Sequence, residues 1–507
     1  MVPGEAGIEK RDSRWSQVKN SDFDVVIIGG GISGASLFAR MAAEGYKTLL
    51  IDKEDFGSAT SQASGMMIWG GLLYLKSLDF RTVFSLCRDR DNLISQCPSR
   101  IRSQYYYYFP LKDGWQFTPL VKGGLDFYRL LGGMRRGRNY IEKNPDEKHL
   151  LRGERFRDPL AYEEGMLNYS DCRFVVDLIR QYDSDSAIPL NHVEFNKASY
   201  SGTNKRWSIE LTDRFAHRTT SITSRLVINA TGPYCDHVNR IVGIHTPYKH
   251  VFSKGVYLAF RRPDGHVHPL IFEMGYNSDV QTFVPWGPVS LWGPTETKVD
   301  TLDEEITPTP EDVSFLLKQA SRNLSHSYDK KDIISFRAGV RALAVPDSYH
   351  ANHYPLELSR HYRIYLEKEK NWIAVYGGKF TSGSTLASLV MKKVARVLEP
   401  AMRPGVAPQE LTDTQDDFIF PGLEMSFPSP EHCSDHEYCL TIDDYLRRRT
   451  NIAQWSARNG LGRDNENLAT VLEIIKRLPQ RPGLVPETAL EQYISTTDRL
   501  FASLMEQ

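Results

Sequence analysis

Residues 24–52 read DVVIIGGGISGASLFARMAAEGYKTLLID, and the order of those residues decides the fold. The apolar run 24–28 has the length and composition of a buried strand. Residues 32–44 carry helical spacing with small side chains at the start, and after Gly45 the run 47–52 is a second strand. Strand, helix and strand in this order form a βαβ unit, whose crossover makes the two strands parallel. The fold class that follows is α/β.

Between the first strand and the helix stands Gly29-Gly30-Gly31-Ile32-Ser33-Gly34, a G-x-G-x-x-G turn. Gly29 permits the tight turn, Gly31 lets a pyrophosphate approach the backbone, and Gly34 lets the helix lie close to the sheet. Amides at the helix start, those of Ile32 and Ser33 among them, face the phosphates at the positive end of the helix dipole. Asp52 closes the second strand where ribose hydroxyls need an acceptor, and Lys53 beside it belongs to the same expected site. With all these parts in register within about thirty residues, the ADP half of a dinucleotide is the expected ligand. The motif alone does not choose between FAD and NAD.

The chain has 507 residues, enough for two to four domains with large cores. Its 41% apolar and 25% charged residues are those of an ordinary globular protein, and 62 basic against 63 acidic residues give no pointer to nucleic acid. Six cysteines, at 87, 97, 172, 235, 433 and 439, form no C-x-x-C and no zinc spacing, so reduced thiols and no metal centre are expected. The first twenty residues lack the apolar core of a signal peptide, and no run approaches the roughly 20 apolar residues of a membrane span. The expectation is a cytoplasmic protein, with peripheral contact at the inner membrane face left open. Nothing in the pattern sets an oligomeric state.

A polar leader ends near Asn20. The stretch 91–160, rich in arginine and aromatic residues, shows no clean period and reads as an inserted layer. Short alternating runs at 207–211, 226–229, 255–260 and 282–284, separated by Gly, Pro and Asp, read as mixed and antiparallel sheet. Beyond Pro400, helical spacing returns at 442–456, 466–477 and 487–505. The expected partition is a discontinuous dinucleotide-binding domain over 22–90, 161–245 and 331–398, a substrate or cap domain over 91–160 and 246–330, and a C-terminal helical domain over 399–507. The class is then α/β with α+β insertions.

Three later stretches extend the site. Residues 57–75, GSATSQASGMMIWGGLLYL, place Thr60, Ser61 and Ser64 before the pair Gly70-Gly71; such a stretch either runs along a cofactor with its amides exposed or is a flexible loop. Residues 225–236, RLVINATGPYCD, are a strand leaving through Thr231 and Gly232, a tight exit that packs under a nucleotide. Residues 372–386, WIAVYGGKFTSGSTL, are a strand, a glycine pair and a second helix start. Gly378, Lys379, Phe380 and Thr381 thus stand where a positive helix end would face a ring that gains charge on reduction. The alternative for Lys379, read alone, is a solvated surface lysine.

Taken in order, GGGISGA, ATSQASGMMIWGGLLYL, LNYSDC, NATGPYCD, FSKGVY, FVPWGPVSLWGPTET, AGVRAL, YGGKFTSGS and IDDYLRRRT resemble the FAD-dependent glycerol-3-phosphate dehydrogenases, over residues 22–449. The resemblance implies a glutathione-reductase-like FAD-binding domain, an antiparallel β-sheet substrate domain and a C-terminal helical domain, with FAD as cofactor. It implies hydride transfer from a secondary alcohol of an anionic, polyol-phosphate-like substrate to flavin N5, with quinone or oxygen as electron acceptor. Arg341 in AGVRAL, Arg360 in LELSRHY and Lys379 in GGKFT match basic residues that hold phosphate and polarise the reacting oxygen, and Tyr74 matches the tyrosine of GGLRYL. Guanidinium forks bind phosphate or carboxylate bidentately, and a nearby cation favours a developing alkoxide.

The departures fall at the substrate end. Where the family pattern is IHGGLRYL, this chain has Trp69 for the histidine and Leu73 for the arginine; the histidine of KGxH is Tyr257, and the arginine after GGKxT is Ser384. Each lost charged hydrogen bond costs about 1.5–3 kcal/mol, so two weaken phosphate binding about a hundredfold or more. The cofactor site reads as kept and the substrate site as rewritten. Trp69 is core packing or an aromatic wall, and the glycine pair after it favours the wall. Tyr257, Lys379 or a water held by Arg341 stand as proton acceptors. Two other readings stay open: an amine or amino-acid oxidase, with Arg341 or Arg360 on a carboxylate, and a non-catalytic FAD-binding protein.

Overall fold

The computed structural model describes residues 5–75, 78–114, 118–143, 145–274, 280–302, 306–350, 358, 361–411 and 416–505. Arg360 and the side chain of Leu73 lie outside the described residues.

Two sheets carry the fold. In the first, Asp22–Ile28 pairs in parallel with Thr48–Ile51 on one side and Arg218–Asn229 on the other. Trp372–Tyr376 and Arg363–Glu367 extend one edge, and Ala187–Leu190 extends the other. Thr48–Ile51 and Ala187–Leu190 are buried throughout, the pattern of parallel strands covered on both faces. Helices Ile32–Ala43, Asp171–Arg180 and Gly383–Val394 cover one face through Leu37, Phe38, Val175, Ile179, Leu386 and Val390. On the other face, Trp15 and Val18 pack with Trp207 and Trp372. The leader expected to be merely polar is therefore a helix, Glu5–Val18, and its buried Arg11 is matched by Asp213 at 2.7 Å.

The second sheet is mixed. Its strands run Thr297–Val299, Tyr248–Arg261, Val289–Gly293, Val280–Trp286, Leu270–Glu273, Ile101–Phe109, Leu160–Leu167 and Met67–Ile68, and Ile333–Pro346 joins Tyr248–Arg261 from the side. Leu270–Glu273 lies parallel to Ile101–Phe109, while the long ladder of Tyr248–Arg261 with Ile333–Pro346 is antiparallel and sets Gly255 opposite Gly339. Leu160–Leu167 and Ile333–Pro346 thus belong to this sheet, although the partition by sequence put all but the first residue of the two strands in the dinucleotide-binding domain. The chain crosses between the sheets several times, and strand composition carries no mark of which sheet a strand joins.

The C-terminal segment contains the helices Pro430–Glu437, Leu468–Arg477 and Pro486–Met505 and a strand pair, Asp416–Ile419 with Ser426–Pro428. The helix expected over 442–456 is broken: a wide helical turn, Asp444–Arg449, stops at Asn451, whose φ is 63°, before the short helix Ile452–Trp455. The break lets two arginines reach back to the first domain. Arg449 donates to both oxygens of Asp55 at 2.7 and 2.9 Å, and Arg448 donates to Asp55 at 2.7 Å and to Asp444 at 2.8 Å. His192 stands 3.1 Å from Asp444, so Asp55, His192 and Asp444 lie as close as metal ligands would. Guanidinium groups already occupy these carboxylates, which makes the cluster an ion-pair network. Arg173 with Glu437, at 2.6 and 2.7 Å, is a second buried tie. Among the described residues, no helix is long and apolar enough to cross a membrane.

Removing one partner from a buried ion pair costs about 3–5 kcal/mol. Asp55→Asn is therefore expected to lower stability by that order in urea denaturation. Glu54→Gln, which breaks an exposed pair with Arg214, should cost less than about 1 kcal/mol.

Candidate dinucleotide and substrate site

A cavity of about 2440 Å³ runs from the ends of Asp22–Ile28 and Thr48–Ile51, past the loop 57–65, to the face of the second sheet. The motif glycines do different work around it. A Cβ at Gly34 would lie 1.7 Å from the Gly29 carbonyl oxygen, and one at Gly29 would lie 2.6 Å from that of Ala230, so the protein itself needs both. A Cβ at Gly31 would meet only Ser61 Oγ, at 3.1 Å, and would stand in the cavity. That open floor at a helix start fits a pyrophosphate. The Ser61 hydroxyl accepts the Ile32 N–H at 3.0 Å, and Asp52 accepts the N–H of Gly30 at 2.7 Å and of Glu54 at 2.9 Å. Burial pushes the Asp52 carboxyl up to about 6, partly opposed by those two hydrogen bonds. Lys53 Nζ stands 4.1 Å from the centre of the Tyr234 ring, and Ser33, Thr231 and Gly232 line the same cavity. Val193, Phe195 and Tyr234 also line it, and the sequence reading missed them.

The loop after the second strand behaves as a cofactor wall along most of its length. Thr60, Ser61, Ser64, Trp69 and Gly71 line the cavity. Gly70 does not: its Cβ would meet Tyr128 OH at 2.3 Å and Cys87 Sγ at 2.8 Å, and its N–H donates to Glu164 of the buried Arg90–Glu164 pair. The close approach inferred from the glycine pair is toward protein at both positions: a Cβ at Gly71 would meet Leu86 at 2.8 Å and Tyr74 at 3.2 Å, although Gly71 itself lines the cavity. Trp69 is wall and packing together, since its ring lines the cavity and rests on the cluster of Tyr106, Tyr108 and Tyr162.

At the substrate end, Lys379 Nζ lies 3.8 Å from the centre of the Tyr74 ring. Gly377 and Gly378, with φ of 65° and 111°, turn the chain from Trp372–Tyr376 into the turn Phe380–Ser382, and Gly378, Lys379, Phe380 and Thr381 line the cavity. His361 pairs with Asp79 at 2.7 Å beside Tyr74. Burial raises the Asp79 carboxyl, but hydrogen bonds from Thr82 and His361 outweigh it and hold the group below its usual range. Arg341 lies across Gly255, where a Cβ would come within 2.4 Å of the guanidinium, and it pairs with Glu296 at 3.0 Å. Burial raises the Tyr257 phenol, only partly offset by Arg341. The structure thus brings Trp69, Tyr74, Tyr257, Arg341 and Lys379 to one cavity, while Ser384 is exposed on the helix beyond. Sequence reasoning missed Asp79, Glu296 and His361. Glu296 stood in the quoted WGPTET and His361 in the quoted LELSRHY, but neither carried a spacing signal.

Asp52 gives cofactor binding a definite pH dependence. Its raised carboxyl means that the folded apoprotein holds a proton the unfolded chain has lost, so its contribution to stability falls as pH rises from about 4 to about 6. Ribose hydroxyls donating to Asp52 favour the carboxylate, so binding releases that proton. Fluorescence titration of the apoprotein should show FAD affinity rising between about pH 5 and about pH 7, and Asp52→Asn should weaken binding and flatten the slope.

Residues 24–393 match the model of a family described as FAD dependent oxidoreductase. The chain is 29% identical over 408 residues to a probable mitochondrial glycerol-3-phosphate dehydrogenase of Caenorhabditis elegans, covering 76% of this chain and 55% of that protein. It is 28% identical over 355 residues to an alpha-glycerophosphate oxidase of Streptococcus pneumoniae, covering 67% and 57%. The chain therefore spans little more than half the length of these two relatives. Its fold is similar to that of a glycerol-3-phosphate dehydrogenase from Bacillus halodurans complexed with FAD, with a TM-score of 0.67 at 17% identity over 99% of this chain and 98% of that one. The family match takes in both sheets and the cavity wall as far as Thr381, and the chain belongs to the FAD-dependent oxidoreductases, with FAD as its cofactor.

Proposed function

We propose that this chain is a dehydrogenase or oxidase that takes a hydride from the secondary alcohol carbon of an anionic, polyol-phosphate-like substrate related to glycerol 3-phosphate. The observation that carries this reading is the ammonium of Lys379 held against the Tyr74 ring in the cavity wall. A cation fixed there stabilises negative charge developing on a substrate hydroxyl, and its place against the ring is set before substrate arrives. FAD, when bound, supplies the hydride acceptor. Arg341 offers a guanidinium edge to the anionic end, Trp69 walls the site, and Tyr257 acts as a hydrogen-bond donor. Arg360 stays in the substrate set on its motif alone. The names of the two relatives, one a dehydrogenase and one an oxidase, support the substrate class and leave quinone and oxygen as the two acceptors.

The Arg341–Glu296 pair favours a second reading. A guanidinium beside a carboxylate suits both charges of an amino acid, as an amino-acid oxidase requires.

Anaerobic addition of glycerol 3-phosphate to the FAD-loaded protein should bleach the visible flavin bands; bleaching by amino acids alone would replace this reading with the second. Lys379→Met is expected to retain FAD and slow the bleaching about a hundredfold, the loss typical of one preorganised donor to the transition state. An unchanged rate would remove Lys379 from the chemistry.

A further inference from the structure

Arg337 is 2% exposed and stands on Ile333–Pro346, opposite Tyr257 in the ladder. Its Nε donates to the Ser64 carbonyl at 3.0 Å, and its Nη2 donates to the Gln62 carbonyl at 2.6 Å and to Asp171 at 2.5 Å. Asp171, fully buried, also accepts the Ser64 N–H at 2.9 Å. The guanidinium carbon lies 4.9 Å from the centre of the Trp286 ring, which holds the fork in place. One buried arginine–aspartate pair therefore fixes three backbone groups of residues 62–64.

The same few residues face the cavity. Ser61, Ala63, Ser64 and Gly65 line it, and Ser61 meets the helix start at Ile32. A Cβ at Gly339 would lie 2.4 Å from that of Ala63, so the strand that carries Arg337 also sets the depth of the loop. The C-terminal segment takes hold at the same point: Arg447 donates to the Gln62 carbonyl and Arg448 to the Gln62 side chain, each at 3.3 Å.

We propose that Arg337, acting through Asp171 and the loop 62–64, is a positioning residue for FAD. It touches no substrate and supplies no proton; it sets the backbone that presents residues 61–65 as part of the cofactor wall. The proposal rests on the FAD-binding cavity and is independent of the substrate assigned above. Its chemistry requires a guanidinium. Two carbonyls two residues apart and a carboxylate are met by a planar fork, whereas a lysine pairs with Asp171 as a point charge and cannot reproduce the fork.

Arg337→Lys is the decisive variant. It should raise the FAD dissociation constant about tenfold or more in fluorescence titration, the worth of a charged hydrogen bond. It should also change the visible circular dichroism of the bound flavin and speed amide hydrogen exchange at residues 60–65 of the apoprotein. Arg477→Lys, at the Glu431 tie within the C-terminal segment and away from the cavity lining, should lower the melting temperature with none of these changes. If Arg337→Lys lowers the melting temperature but leaves FAD affinity, flavin dichroism and loop exchange as they were, its role is merely structural and the proposal is wrong. Should Arg337→Lys fail to fold, Asp171→Asn, which keeps the side chain's shape, is measured by the same three readouts: changes in them support the proposal, and their constancy overturns it.

Discussion

A methyl group at residue 34 would sit 1.7 Å from the carbonyl oxygen of Gly29, and the rest of the site depends on that closeness. It lets Ile32–Ala43 lie directly on the parallel sheet with its first turn at the ends of the strands. In the next layer a Cβ at Gly383 would lie 2.3 Å from Ser36 Oγ, so Gly383–Val394 packs closely against a side chain of the first helix. The first helix and the turn that leads into the second both line the cavity, through Ile32 and Phe380. Two positive helix ends thereby stand near one cavity, and the seat of the first on the sheet is set by backbone contact, which cannot relax as a side chain can.

The C-terminal segment is attached in a different way. Trp455 packs on Trp286 with ring centres 5.4 Å apart, but much of the contact with the first domain is buried charge: Arg448 and Arg449 on Asp55, and Arg173 on Glu437. Such pairs lose in desolvation much of what they gain in attraction, so they add little net stability compared with apolar packing. They do define one docking geometry, because a shifted segment would leave several buried charges without partners. That geometry brings Arg447 and Arg448 to Gln62, on the loop that also carries Ser61. The cofactor wall is thus braced from the second sheet and from the C-terminal segment at once.

The βαβ unit was legible because its signals are local: a glycine spacing, a helical period and an acid at a strand end, all within residues 24–52. The ladder between Tyr248–Arg261 and Ile333–Pro346 was not, because its two strands are far apart in sequence and bury Ser253, Ser335 and Arg337, which breaks any apolar alternation. Glu5–Val18 looked like a polar leader for the same reason, since its buried Arg11 counts as polar until Asp213 is seen beside it. Gly70 shows a related limit. A glycine announces a close approach without saying to what, and here the neighbour is Tyr128 and Cys87. The family resemblance pointed to Arg341, but the carboxylate that faces it, Glu296, comes from another part of the chain.

Such a carboxylate changes how an anion is recognised. Arg341 stands against Glu296 at 3.0 Å and Lys254 against Asp312 at 2.6 Å, so two of the basic groups of the second sheet bring their own counter-charge. The field of such a pair falls off faster than that of a lone cation, and an incoming anion gains less from it at a distance. For the anionic substrate proposed above, net positive charge is then a weak basis for selection. In that reading selection passes to short-range terms: the directions of the N–H groups on Arg341, the position of Lys379 against Tyr74, and the shape of the wall formed by Trp69. A site of this kind rejects a wrong anion by misfit of its hydrogen bonds, and salt screens that discrimination far less than it screens long-range attraction.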